Sequence, residues 1–189
     1  MKRYVQRAIK RHGEVDSHVF DINVTPNTVS VVTGPMMAVP DAKRTGLQLA
    51  VNSLRIKGHI LASGTRGRVR VLWFRWKETS TPGPTDVLAP VTGSNISVDS
   101  EYVFDKLARS KFAVISDKVY LVSTSHGAPE ERTIKHYLKT PKKMIFTSTT
   151  STSAKNHIYV LTASSSAGAP HPVYTVSALT RFTQDGGIG

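Results

Sequence analysis

The chain contains no cysteine, so it can form neither a disulfide nor a thiolate metal site. No apolar run approaches the roughly 20 residues that cross a bilayer. Charges also interrupt the N-terminal residues, where a signal peptide needs an apolar core. We therefore expect a soluble protein that does not enter the secretory pathway and does not bind a membrane.

Acidic residues are scarce as well. Only 13 Asp and Glu stand against 25 Lys and Arg, which leaves a formal charge of +12 on 189 residues. This excess indicates a polyanionic partner, although charge alone does not say which polyanion. The length suits a single domain with a sizeable core and a terminal arm.

The N-terminal stretch MKRYVQRAIKR has five cations and no acid. On a helix, four apolar residues fall on one narrow stripe, namely Tyr4, Val5, Ala8 and Ile9. A mitochondrial presequence, a membrane-surface helix and a nucleic-acid-binding arm all fit this pattern. We favour the arm, because the rest of the chain is also basic. Its predicted phosphate-binding residues are Lys2, Arg3, Arg7, Lys10 and Arg11.

Alternating apolar residues and turn-forming gaps predict about eight strands and no long helix. Such a pattern indicates an all-β, eight-stranded jelly-roll sandwich of two four-stranded antiparallel sheets. We expect residues 1–25 to form a basic N-terminal helix with its connection, and residues 26–189 to form the shell domain. A short helix is predicted within 101–110, capped by Asp99 or Ser100. The predicted strands are 28–32, 47–61, 66–77, 112–124, 132–139, 144–150, 157–163 and 173–182.

Two of these strands have basic faces. Leu54, Ile56 and Ile60 alternate with cations in one strand, and a run of arginines opens the next. A solvated sheet face is one explanation, and a shared surface for phosphates is the other. We favour the second, because no acid interrupts the set. Its predicted members are Arg55, Lys57, Arg66, Arg68 and Arg70.

Aromatic residues close the second of these strands, and they could either stack on bases or fill the core. Trp73 and Phe74 are predicted to be core residues, since both faces of the strand become apolar toward its end. Trp76, beside Lys77 at the end of the strand, is expected to be more open.

Catalytic patterns are missing. The seven histidines have no ligand spacing, and neither a nucleophile elbow nor a phosphate loop is present. We therefore predict that the protein is not an enzyme and needs no cofactor. Asp99, Glu101 and Asp105 have two explanations that stay open: a structural Ca²⁺ at a subunit interface, or the acidic N-terminus of a helix.

Several stretches together resemble a known family. They are LRIKGHIL, VRVLWFRW, PGPTDVL and KFAVISDKVYLVS, with RAIKR near the N-terminus. Their order and spacing are similar to those of the single-jelly-roll capsid (coat) proteins of small icosahedral viruses. This group includes satellite tobacco necrosis virus and the circular Rep-encoding single-stranded DNA viruses.

The resemblance implies a viral capsid protein that self-assembles into a closed shell of about sixty copies, a T=1 particle, with the arm inward. About sixty copies at +12 each carry roughly 700 positive charges, a large part of a genome of about a thousand phosphates. The partners would be other copies of the chain and a single-stranded DNA or RNA genome. The location would be the virion, and the host nucleus or cytoplasm during assembly. The alternative is a non-viral nucleic-acid-binding β-barrel acting as a monomer or small oligomer.

Overall fold

A computed structural model describes residues 15–24, 31–33, 47–62, 67–93, 95–125, 129–139, 143–148, 154–165 and 170–184. Strands make up most of these ranges, and the main exception is the excursion from 77 to 111 between two strands. The only helical elements among them are a 3-10 turn at Pro84–Asp86 and a short α-helix, α1, at Lys106–Ser110. The strands are β1 Val15–Val24, β2 Val31–Thr33, β3 Gln48–Leu61, β4 Gly67–Trp76, β5 Phe112–Val122, β6 Glu131–Lys139, β7 Lys143–Phe146, β8 Ala154–Lys155, β9 His157–Ser164 and β10 Val173–Gln184.

The strands form two antiparallel sheets. Sheet A has the order β1-β10-β3-β7-β8, with β6 also paired to β3, and sheet B has the order β2-β9-β4-β5. β6 pairs with residues 53–61 of β3 and β7 with residues 48–50, so β6 and β7 act as one broken strand, and the two-residue β8 pairs with the outer edge of β7. With β6 and β7 counted as one strand and the short β8 left out, the sandwich has eight strands in chain order, and β9 and β10 are the seventh and eighth. The order is then 1-8-3-6 in sheet A and 2-7-4-5 in sheet B. This is the strand order of a jelly roll, and it confirms the predicted fold class.

β1 is the strand that the sequence pattern missed. It pairs with β10 over its whole length, from Val15 opposite Thr183 to Val24 opposite Tyr174. Its second half, FDINV, alternates and sends Ile22 into the core, but its first half, VDSHV, has no apolar period and ends in the exposed Val19. The predicted boundary at residue 26 is therefore wrong, and the sandwich includes residues from 15 onward. The eight predicted strands omitted β1 and counted β6 and β7 separately, so the predicted number matches for a partly wrong reason.

The core lies between the two sheets. β4 is central in sheet B and buried on both faces: Val69, Val71 and Trp73 point into the sandwich. The residues of its other face pack under the excursion between β4 and β5, together with Val87 and Leu88. Trp73 and Phe74 are core residues, as predicted. The prediction of an open Trp76 is wrong, because this ring is buried in the second cluster.

The excursion between β4 and β5 carries α1. The helix is present as predicted, but its cap is Asp105, whose side chain accepts a hydrogen bond from the backbone N–H of Ala108 at 2.9 Å. The predicted caps, Asp99 and Ser100, lie before the helix. Among the described residues, no helix has the length and apolar character that a membrane crossing requires.

Candidate nucleic-acid interface

The outer surface of sheet A is basic. In β3 and β6, alternate residues such as Ile56 and Ile134 enter the core, which directs the residues between them to solvent. β10 adds one arginine in the same way, since its neighbours Thr180 and Phe182 are buried. We call this surface the basic face and define it by its five exposed cations, which are Arg55, Lys57, Lys135, Lys139 and Arg181.

The strand register brings these cations side by side. Lys57 lies directly opposite Lys135 across the β3–β6 pair. Ser53 lies between Lys139 on β6 and Arg181 on β10. Like charges directly opposite each other on adjacent strands are destabilising. The arrangement therefore stores a repulsion that a bound anion would relieve.

No described acidic side chain pairs with any of the five cations within 4.0 Å. Glu131, at one end of the face, lies 4.0 Å from the ring of His59 instead. Asp21 belongs to β1, opposite Ser177, and β10 separates it from Lys57. The basic face is thus predominantly cationic, with Asp21 and Glu131 at its margins, and it suits a polyanion.

Tyr137 stands in the middle of this field. It lies directly opposite Arg55, and its side chain is 62% exposed. Beside it is a shallow hollow of about 140 Å³. The hollow is lined by Ser53, Arg55, Tyr137, Leu179 and Arg181.

On the outer surface of sheet B, by contrast, the arginines of β4 form ion pairs with acidic side chains. Arg68 makes a two-pronged ion pair with Asp99, with distances of 2.8 and 2.5 Å. Arg70 makes another with Asp117, its Nε and Nη2 donating to the two carboxylate oxygens at 2.9 and 2.6 Å. The remaining Arg70 nitrogen donates to the carbonyl oxygens of Val98 at 3.3 Å and Ser100 at 2.5 Å. These contacts fasten the excursion to the sheet.

Tyr102 completes this cluster. Its hydroxyl donates to Asp117 at 2.5 Å, and the guanidinium of Arg109 lies 4.2 Å from its ring centre. Burial and the hydrogen bond to Asp117 raise the pKa of Tyr102 to about 12, so the hydroxyl stays protonated. Burial tends to raise the pKa of Asp117, but the hydrogen bonds from Arg70 and Tyr102 outweigh it and the pKa is lowered. The Arg70–Asp117 pair therefore stays charged at neutral pH.

The predicted site residues separate into three groups. Arg55 and Lys57 lie on the basic face. Arg68 and Arg70 belong to the other sheet, facing away from it, and both are paired with acids. The prediction of one shared surface on neighbouring strands free of acids is therefore wrong. The predicted residues Lys2, Arg3, Arg7, Lys10, Arg11 and Arg66 lie outside the described residues.

Sequence reasoning missed Lys135, Tyr137, Lys139 and Arg181. The first three occupy alternate positions in RTIKHYLK, on the other face of the strand from the buried Ile134 and Leu138. This is the same signal that identified Arg55 and Lys57 in β3. Arg181 also follows a period of two, since Val176, Ala178 and Phe182 occupy the buried alternate positions, and the β3–β10 register brings it to the face.

Two of the three acids considered for Ca²⁺, Asp99 and Asp105, have other roles in the structure, and no hydrogen bond or ion pair from the side chain of Glu101 to another described residue is seen. Asp99 pairs with Arg68, and Asp105 caps α1. Asp105 therefore fits the helix-cap explanation. Within the described ranges, no group of three or more His, Asp or Glu side chains could hold a metal ion.

Comparison with known proteins gives no family model and no curated protein that matches this chain. Among the solved structures that overlap with it are three with a TM-score of 0.42 each. One is Desmodium yellow mottle tymovirus, at 12% identity over 90% of this chain and 87% of that chain. The others are the empty head of turnip yellow mosaic virus, at 10% identity over 91% and 82%, and turnip yellow mosaic virus, at 9% over 91% and 81%. They lend no support to the narrower resemblance to satellite tobacco necrosis virus and the circular Rep-encoding single-stranded DNA viruses, and the strand order alone assigns the jelly roll.

Proposed function

We propose that this chain is a viral capsid protein, structural rather than enzymatic, that packages a single-stranded DNA or RNA genome against the basic face. The observation that carries the proposal is the row of cations on sheet A without an acidic partner among the described residues, above all Lys57 directly opposite Lys135. A sandwich that only had to be stable would place acids among them, as sheet B does with Asp99 and Asp117. Packaging needs tolerance of sequence, and phosphate contacts supply it.

Self-assembly would turn many such faces into one charged interior surface. The fold is the jelly roll that capsid shells share with other proteins. Phe104, just before α1, is 84% exposed and Leu107, within α1, is also exposed, although both are large apolar residues. Exposed apolar side chains of this kind mark protein contacts, and we assign them to a neighbouring copy. The proposed particle is the closed shell of about sixty copies, with sheet A facing inward.

The basic arm would act beside the basic face. An isolated helix of this length is unstable in water, so the arm would fold only on a partner or on the nucleic acid. The proposed location is the virion, with assembly in the nucleus or cytoplasm of the host. A non-viral nucleic-acid-binding β-barrel would share the basic face but would remain a monomer or small oligomer.

The salt dependence of nucleic-acid binding tests the role of the basic face. Each phosphate contact to a single strand contributes about 0.7 to the slope of log K against log salt, so five lost contacts lower it by up to about 3.5. The variant replaces Arg55, Lys57, Lys135, Lys139 and Arg181 by Gln in the full-length chain, and binding of oligo(dT) is measured by fluorescence anisotropy. An unchanged slope would contradict the proposal.

Two further variants locate the contacts. Arg68→Gln is the control, because Asp99 already neutralises this exposed cation, and we expect a nearly unchanged slope. Replacing the five arm cations by Gln should leave the sandwich folded, since all five precede β1 in the sequence, and should lower the nucleic-acid content of purified particles. If only the arm variant loses nucleic acid, the arm rather than the basic face binds the genome.

A further inference from the structure

Tyr137 differs from the other described tyrosines. Tyr102, Tyr120, Tyr159 and Tyr174 are buried or partly buried, whereas Tyr137 is 62% exposed on the outside of a strand. No described residue hydrogen-bonds its hydroxyl or packs against its ring as an aromatic or cation–π partner. The ring therefore contributes little to the core and presents a free π surface to solvent.

The surroundings of this ring provide cations for the phosphates of a nucleotide and an apolar wall for its base. Lys135 and Lys139 flank it on β6 at a spacing of about 7 Å. Arg55 lies directly opposite Tyr137 on β3, and the Cβ atoms of the two residues are about 5 Å apart. The hollow beside the ring has an apolar wall in Leu179 and a second guanidinium in Arg181.

Resting on the proposed function, we infer that Tyr137 is a stacking platform for an unpaired base of the bound nucleic acid. The base lies on the ring of Tyr137 and against Leu179, and the phosphates on either side contact Arg55 and Arg181. Stacking on an aromatic ring accepts every base, because every base has a π face. It also requires an unstacked base, so the site selects single strands over duplexes.

Two probes with the same number of phosphates test this inference on the full-length chain. One is oligo(dT), and the other is an abasic deoxyribose-phosphate strand of equal length. Stacking predicts that the wild type binds oligo(dT) about tenfold more tightly than the abasic strand, and that Tyr137→Ala removes this ratio. Tyr137→Phe keeps the ring and should keep the ratio. The salt slope should be the same for all three proteins.

The outcomes separate the two proposals. Equal binding of both probes by the wild type would overturn the stacking site and leave the electrostatic proposal standing. Failure of both probes to bind would overturn both. Lys139→Gln is the control, since it should lower the salt slope for both probes and leave their ratio unchanged. The wild-type ratio needs no variant, so the test does not depend on how Tyr137→Ala folds.

Discussion

Replacing Asp117 by Asn should destabilise the folded chain by about 2–3 kcal/mol. The side chain of Arg70 is only 8% exposed and that of Asp117 is 23% exposed, and the pair joins β4 to β5 beneath the excursion. Removing one partner of a fully buried ion pair costs about 3–5 kcal/mol, because a charge remains buried without its counter-ion. Asp117 is partly open to water, which places the expected loss below that range.

The matched control is the same substitution in the other ion pair. Arg68 and Asp99 are 47% and 64% exposed, and exposed pairs contribute about 0.2–1 kcal/mol. Urea unfolding of the unassembled full-length chain, followed by circular dichroism, gives both free energies of unfolding. The reasoning would be refuted if Asp99→Asn costs as much as Asp117→Asn, or if Asp117→Asn stays within about 0.5 kcal/mol of the wild type.

Two more predictions follow from the same structure. Because the pKa of Asp117 is lowered from its ordinary value of 3.8, its carboxylate stabilises the fold above that pH. This contribution is lost as the pH falls through the lower folded-state pKa. The stability difference between wild type and Asp117→Asn, measured by urea unfolding from pH 7 to pH 2.5, should therefore shrink at the acid end. A constant difference would contradict the assignment. Gly58→Ala should lower the melting temperature sharply, because its Cβ would meet the backbone oxygen of Thr175 and lie 2.5 Å from the Cα of Val176. Gly67→Ala meets only Pro172, at 3.9 Å, and should be tolerated; equal losses for the two variants would refute this prediction.

Strand alternation was enough to predict most of the sandwich. β3 and β4 were predicted within one residue of their bounds, because each has a clear apolar period or an apolar run. β1 escaped detection because its first half, VDSHV, has no apolar period, and only the distant pairing with β10 identifies the whole segment as a strand. The same limit applies to Trp76, whose cover comes from residues of the excursion that no local pattern connects to it.

The charged faces could be predicted only in part, because alternation is a local pattern. Alternation shows which residues of a strand share a face, and it correctly gave Arg55 and Lys57 an outer position. It does not show which sheet a strand joins or which acid comes opposite. Asp99 and Asp117 reach Arg68 and Arg70 from 31 and 47 residues away. Only the three-dimensional structure shows which cations have an acidic partner among the described residues.

Electron microscopy of the purified full-length protein, combined with its 260/280 nm absorbance ratio, tests the central claim most directly. The account predicts uniform closed particles with a ratio raised by single-stranded nucleic acid, and a lower ratio when the cations of the basic face are replaced by Gln. A monodisperse monomer at physiological salt, free of nucleic acid, would contradict it.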